Sequence, residues 1–188
     1  MKGLFQFGFE VAKVVVIALV IVVPLRVFVF QPFLVRGDSM ESSYHNGDYL
    51  IVDQLSYRFR SPERGEVIVL KFPFDPSQRF IKRIVGLPGE SVEVKDGKVV
   101  VYGTDDGRAA KVLDESEYLP LDLETPGSLR IDLREQEYFV LGDNRPFSSD
   151  SRKWGVLPGE LIVGRVFLNV FSLEAFAREI VPKESYEQ

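Results

Sequence analysis

The chain contains no cysteine, and His45 is the only histidine among its 188 residues. Without thiols it forms no disulfide, and a lone imidazole cannot build a typical zinc site, so we expect no bound metal. A protease triad that relies on histidine has only His45 to draw on. Because His45 precedes the turn-forming pair Asn46-Gly47, we interpret it as a loop residue.

Basic charge and nucleotide-binding motifs are also missing. The formal net charge is -5, whereas nucleic-acid binders usually carry a basic face, so we expect no nucleic-acid partner. The sequence has neither a G-x-x-x-x-G-K-[ST] phosphate loop nor a G-x-G-x-x-G fingerprint. We therefore expect no cofactor, and the length leaves room for one anchor and one moderate domain.

An apolar stretch covers residues 11–31, and its core from Val14 to Leu25 is uncharged. At ~1.5 Å per residue, a helix of this length covers roughly 30 Å, the thickness of a hydrocarbon core. We interpret the stretch as a transmembrane anchor. A cleaved signal peptide and a buried core element are the alternatives, but no A-x-A-like cleavage site follows the apolar run.

The charges that flank this stretch give a weak orientation signal. Lys2 and Lys13 outnumber Glu10 on the N-terminal side, which slightly favours a cytoplasmic segment 1–10. Arg26 and Arg36 follow on the other side and oppose this orientation.

Short apolar runs rich in β-branched residues dominate the rest of the chain and indicate strands. These runs are Tyr49–Val52, Glu66–Leu70, Ser91–Val94, Val99–Tyr102, Glu137–Leu141 and Leu161–Val166. The pair Asp96-Gly97 between two of them is a strong hairpin signal. Because no strand-helix-strand repeat appears, we expect a mainly β domain built on an antiparallel sheet or barrel.

Two segments depart from this pattern. Residues 104–134 are acidic and rich in glycine and proline, which predicts an inserted, loop-rich subdomain, either a solvated surface excursion or a lid over the site. The C-terminal segment from Ser172 to Pro182 has apolar residues at helical spacing, which predicts a short helix packed on the sheet, with a position at the membrane surface as the alternative.

Ser39 and Lys82 are the residues that suggest chemistry. A serine needs a base before it attacks a carbonyl at neutral pH, and lysine serves if burial keeps its amine neutral. Lys82 is flanked by Ile81 and Ile84 in a run that predicts a buried strand ending in a turn. This environment favours a lowered lysine pKa.

Four sequence blocks, in order after the apolar stretch, closely resemble type I signal peptidases of bacteria. The blocks are Gly37–Met40 (GDSM), Gly47–Tyr49 (GDY), Lys82–Glu90 (KRIVGLPGE) and Gly142–Gly155 (GDNRPFSSDSRKWG). The resemblance implies a single-pass protein of the cell membrane, with residues 32–188 forming an extracytoplasmic catalytic domain. It also implies a serine endopeptidase that removes signal peptides from exported preproteins, cutting after small residues.

The resemblance assigns roles to five residues. Ser39 matches the nucleophile and Lys82 the general base of a Ser-Lys dyad. Ser148 matches the position that hydrogen-bonds the lysine amine and aims it, and Asp150 and Arg152 match a supporting ion pair.

The substrate pocket has two interpretations, because apolar residues are usually core. An extended signal peptide is best held by pairing with a sheet edge beside the Lys82 strand. Residues on either side of that edge become candidate pocket walls, with ordinary core packing as the alternative. They are Phe33, Val35, Met40, Phe80 and Ile81.

The segment after the nucleophile departs from the family pattern Ser-Met-x-Pro-Thr-Leu. Ser42 replaces the proline, Ser43 keeps a hydroxyl, and Tyr44 replaces the leucine. With Gly37 two residues before the nucleophile, oxyanion donors must come from backbone N–H groups such as that of Ser39. The departure favours one alternative function, a catalytically impaired, membrane-tethered module that binds peptides.

Overall fold

A computed structural model describes residues 2–24, 30–103 and 110–170 of the chain. In these ranges the helix α1 (Lys2–Pro24) precedes a domain whose regular structure is mainly strands, with one further short α-helix, α2 (Ser151–Trp154), and two 3-10 turns, Ser56–Arg58 and Gly159–Leu161. Every pair of neighbouring strands with an assigned register is antiparallel. The prediction of a mainly β, antiparallel fold is confirmed.

The strands form two sheets. In chain order they are β1 (Phe30–Leu34), β2 (Tyr49–Asp53), β3 (Val67–Phe72), β4 (Asp75–Gly86), β5 (Ser91–Lys95), β6 (Lys98–Tyr102), β7 (Ala110–Val112), β8 (Leu129–Asp132), β9 (Glu137–Leu141), β10 (Leu157–Pro158) and β11 (Ile162–Val170). A seven-stranded sheet has the order β1-β2-β11-β3-β4-β9-β10, and a four-stranded sheet has the order β7-β6-β5-β8. The predicted hairpin joins β5 to β6, with Asp96 and Gly97 both at positive φ.

Strand β4 is buried on both faces at its C-terminal end. Ile84 packs in a cluster with Trp154 and Leu157, whereas its neighbour Val85 packs in a second cluster with Phe139. Successive side chains of a strand point to opposite faces, so both faces of β4 meet core here. A lysine on this stretch of strand is therefore removed from water.

The acidic segment is more closely packed than its composition predicts. Asp105 and Asp106 lie outside the described ranges. Leu121 is exposed, as predicted for a solvated surface loop. Leu119, Thr125 and Leu133, however, are buried. The segment also supplies β7 and β8, the two edge strands of the smaller sheet.

The N-terminal helix and the C-terminal segment are the remaining predicted elements. Within α1, the side chains of residues 6–20 are exposed. No helix in the described ranges combines the length and the apolar character needed to span a bilayer. Residues 25–29 of the predicted anchor and the predicted helix from Ser172 lie outside the described residues.

Candidate active site

Ser39 lies in a turn between β1 and β2. Tyr44 N–H donates to Met40 O at 2.9 Å, which closes the turn. Asn144, in the loop after β9, makes two hydrogen bonds to this turn. Its backbone N–H donates to Ser39 O at 3.1 Å, and its side-chain amide donates to Asp38 O at 2.8 Å. The loop that follows β9 therefore positions the Ser39 turn.

Lys82 reaches Ser39 from the buried part of β4. The two residues are 43 positions apart in sequence, yet Lys82 Nζ lies 2.8 Å from Ser39 Oγ. The amine also donates to Ile81 O at 2.7 Å and lies 5.4 Å from the centre of the Phe80 ring. Lys82 is 2% exposed, so water has almost no access to the amine.

Burial lowers the pKa of Lys82 to about 8, although the charges of Asp150 and Asp143 act to raise it. Removing an ammonium from water disfavours its charged form, and neither carboxylate is ion-paired with the amine. About a tenth of the amine is then neutral at pH 7, and most of it is neutral above pH 9. A neutral amine at this distance is able to accept the Ser39 proton.

Asp150 and Arg152 form a buried ion pair next to these residues. Asp150 accepts hydrogen bonds from Arg152 Nε and Nη2, both at 2.8 Å, and from the Gly142 N–H at 3.1 Å. Burial raises the pKa of Asp150, but Arg152 and the Gly142 N–H outweigh this effect and leave the pKa below its ordinary value. Asp150 also caps α2 by accepting from the Arg152 backbone N–H.

Ser148 does not make the hydrogen bond to the lysine amine that the family resemblance implies. Its hydroxyl is fully buried and meets strict hydrogen-bond geometry with none of the described residues, although it lies close enough to Asp150 to help lower the pKa of that carboxyl. The Lys82 amine donates instead to Ser39 Oγ and Ile81 O. Ser148 nonetheless lies at the site, because a Cβ at Gly142 would overlap both the Ser148 hydroxyl and Ser39 O.

A cleft of about 260 Å³ opens beside Ser39. Its walls come from β1 to β4 and from the segment before the serine. They are Phe33, Leu34, Val35, Arg36, Leu50, Val69, Arg79, Phe80 and Ile81. Four of the five residues predicted as pocket walls lie here. Met40 does not, because its side chain is fully buried beneath the loop after β9, where its sulfur accepts the Asp143 N–H at 3.4 Å.

An ion pair between Arg83 and Asp143 was missed by the sequence analysis. Arg83 Nε donates to Asp143 Oδ1 at 2.9 Å and Nη2 donates to Oδ2 at 2.6 Å, and both residues are buried. The only available signal was that Arg83 follows Lys82 directly and Asp143 lies in another of the matching blocks.

The backbone at Ser42 differs from what a proline would impose. Ser42 has φ of +87°, in the left-handed region, whereas the proline ring fixes φ near about -65°. The turn after the nucleophile therefore has a backbone conformation that a proline at this position could not adopt.

The site brings together a hydroxyl, a partly neutral amine and a largely apolar cleft. These are the groups that an acyl-transfer reaction needs. No group of three or more acidic or histidine side chains in the described ranges is placed to hold a metal ion. His45 is exposed, and its backbone N–H donates to Asp48 Oδ2 at 2.9 Å.

Comparison with known proteins identifies the family. The model of the family "Signal peptidase, peptidase S26" matches residues 8–171. Two proteins of Synechocystis sp. are similar over most of their length: probable signal peptidase I-2 is 38% identical over 85% of this chain and 71% of its own, and probable signal peptidase I-1 is 36% identical over 88% and 84%. Signal peptidase I of Bacillus licheniformis is 31% identical over 77% of each chain. The chain therefore belongs to the signal peptidase family, peptidase S26, and is a peptidase.

Proposed function

We propose that this protein removes signal peptides from exported preproteins, with Ser39 as nucleophile and Lys82 as general base. The observation that carries the proposal is the 2.8 Å separation of Lys82 Nζ and Ser39 Oγ, with the lysine side chain almost wholly buried. A serine next to a partly neutral amine is an activated nucleophile.

The reaction then proceeds in two halves. Lys82 Nζ takes the Ser39 proton as Oγ attacks the scissile carbonyl, and it returns that proton to the departing amine. A water molecule activated by Lys82 next attacks the acyl carbon, and Ser39 leaves with its proton restored. The backbone N–H of Ser39 is a candidate donor to the oxyanion, and one such donor is worth ~3 kcal/mol.

Ser148 fits a role in holding the lysine amine. When the neutral amine accepts the Ser39 proton, its lone pair faces Ser39 Oγ and one N–H donates to Ile81 O, so its other N–H needs an acceptor. The buried Ser148 hydroxyl has an unused acceptor and packs against Gly142 beside Ser39 O. We infer that it receives this N–H, while Asp150 and Arg152 hold the loop that carries it. Ser148→Ala should lower kcat and leave KM unchanged, and a change in KM alone would contradict the role.

The cleft suits an extended peptide with small side chains. Strand β1 is the terminal strand of the larger sheet, so one of its edges is available for main-chain pairing. The rings of Phe33 and Phe80 line the cleft beside Ser39, and such bulky walls favour small residues next to the scissile bond.

Turnover of a preprotein tests the proposal against its alternative. We expect purified protein in detergent to release many equivalents of signal peptide and mature protein per enzyme. Release of no product, with one equivalent of uncut peptide captured per protein, would instead support the catalytically impaired peptide-binding module.

We also propose that the N-terminal apolar segment tethers the enzyme to the cell membrane, with residues 32–188 on the extracytoplasmic side. Support comes from the exposed apolar side chains of α1, such as Phe9 (71%) and Val20 (66%), which need a partner other than the described domain. Carbonate extraction at alkaline pH should leave the full chain with the membranes. Its release into the soluble fraction would contradict the tether.

A further inference from the structure

A turn in the acidic segment packs against an arginine of the lysine-bearing strand. The turn comprises residues 115–119 and is closed by the bond from Leu119 N–H to Glu115 O, at 2.9 Å. The Tyr118 ring lies over the Arg83 guanidinium, whose central carbon is 3.9 Å from the ring centre. The Tyr118 hydroxyl donates to Glu115 Oε1 at 2.7 Å, so ring and carboxylate form one unit.

The same unit holds a second arginine, which belongs to the loop after β9. Arg145 is fully buried, and its Nη1 and Nη2 donate to the two Glu115 oxygens at 2.8 and 2.5 Å. A buried guanidinium is costly unless it is paired, and a bidentate carboxylate is its best partner. Glu115 is its only ion-pair partner within the described ranges.

Both arginines are linked directly to the candidate catalytic residues. Arg83 follows Lys82 on β4 and is ion-paired with Asp143. Arg145 Nε donates to Gly142 O at 3.0 Å, and Asn144, between these loop residues, donates its N–H to Ser39 O. The unit thus contacts one residue next to the general base and one residue of the loop that fixes the nucleophile.

We propose that Tyr118 and Glu115 are positioning residues. Through their contacts with Arg83 and Arg145, they fix the position of the Lys82 strand relative to the Ser39 turn. The inference rests on the proposed roles of Ser39 and Lys82. Proton transfer between the two depends steeply on their separation, and a displacement of ~1 Å far from the chemistry can lower the rate by ~10²-fold. The acidic segment therefore contributes to catalysis without touching the substrate.

Tyr118 offers a matched pair of substitutions. Tyr118→Leu removes the ring from Arg83, whereas Tyr118→Phe keeps the ring and loses only the bond to Glu115. Glu117→Gln neutralises an exposed carboxylate of the same turn and serves as control. All variants are assayed with preprotein well below their melting temperatures, so that only folded enzyme is compared.

We expect Tyr118→Leu to lower kcat by about 10-fold or more with KM within about 2-fold of wild type. Tyr118→Phe should recover most of the lost kcat, and Glu117→Gln should match wild type. A purely structural role would lower the melting temperature of Tyr118→Leu and leave the kcat of the folded enzyme unchanged, which would overturn the inference. So would a loss that appears only in KM, or a Phe variant as slow as the Leu variant.

Failure of the proposed function has a different signature. If the wild-type chain and Glu117→Gln do not turn over preprotein, the catalytic roles fail and this inference fails with them. If both turn over and Tyr118→Leu equals them, only the positioning role is overturned.

Discussion

Replacing Lys82 with methionine is expected to lower kcat/KM for preprotein cleavage by about 10³-fold or more at neutral pH. Methionine has a similar shape and can fill the buried site on β4, but it cannot accept the Ser39 proton. Ser39→Ala should cause a comparable loss, because the acyl-enzyme can no longer form. The measurement is steady-state cleavage of a preprotein in detergent, with folding checked by circular dichroism.

The double variant adds a sharper criterion. Two residues that act as one unit give strongly non-additive losses, so Ser39→Ala combined with Lys82→Met should be about as slow as either single variant. Lys71→Met on the neighbouring strand and Ser149→Ala in the exposed part of the loop are the controls. A Lys82→Met enzyme that retains wild-type activity at neutral pH would contradict the dyad.

The same Lys82→Met substitution should stabilise the fold at about pH 6, by up to about 3 kcal/mol in the free energy of unfolding. The pKa of Lys82 falls from 10.5 to about 8 on folding, with burial as the main cause. Below pH 8 the native state therefore bears the cost of a buried ammonium, which methionine avoids. Between pH 8 and 10.5 the unfolded chain binds more protons, so wild-type stability rises with pH and the advantage of methionine declines.

Denaturant unfolding at a series of pH values measures this difference. Lys71→Met removes an amine that is less buried. It shows how much replacing a lysine with methionine changes the free energy of unfolding when the amine is not deeply buried. The stabilisation should be largest below pH 8 and smallest above pH 10.5. If the difference in free energy of unfolding between wild type and Lys82→Met does not change with pH, folding does not shift the pKa of the Lys82 amine.

Local sequence was sufficient to predict seven of the strands, including the strand that carries Lys82, but not β1, β7, β8 or β10. It also singled out Ser39 and Lys82 as candidates for chemistry. The hairpin at Asp96-Gly97 follows from the positive φ that this pair tolerates. The burial of Lys82 follows from the apolar residues around it on β4, because a run without polar alternation indicates a strand covered on both faces.

The contacts around the site were beyond sequence reasoning, because they join residues far apart in the chain. Glu115 and the exposed Glu117 are the same residue type in the same acidic stretch of sequence. Only the tertiary fold places Glu115 against the buried Arg145. Ser42 shows the same limit: its substitution for proline was visible, but the positive φ of the new turn was not.

The hydrogen-bond partner of a side chain is equally hidden from local sequence. Ser148 was expected to bind the lysine amine, whereas the amine donates to the backbone oxygen of Ile81. A carbonyl of the same strand is available to any strand residue, so sequence blocks alone do not show which acceptor the amine uses.

Titration of the Lys82 amine itself is the most direct test of the proposed chemistry. Lysine labelled with ¹³C at Cε reports protonation by NMR, and the Lys82 signal is identified by its absence from Lys82→Met. A midpoint near pH 8 is the result expected from the burial of this amine. A midpoint near 10.5, the ordinary lysine value, would show that the amine stays charged beside Ser39 and would rule it out as the base.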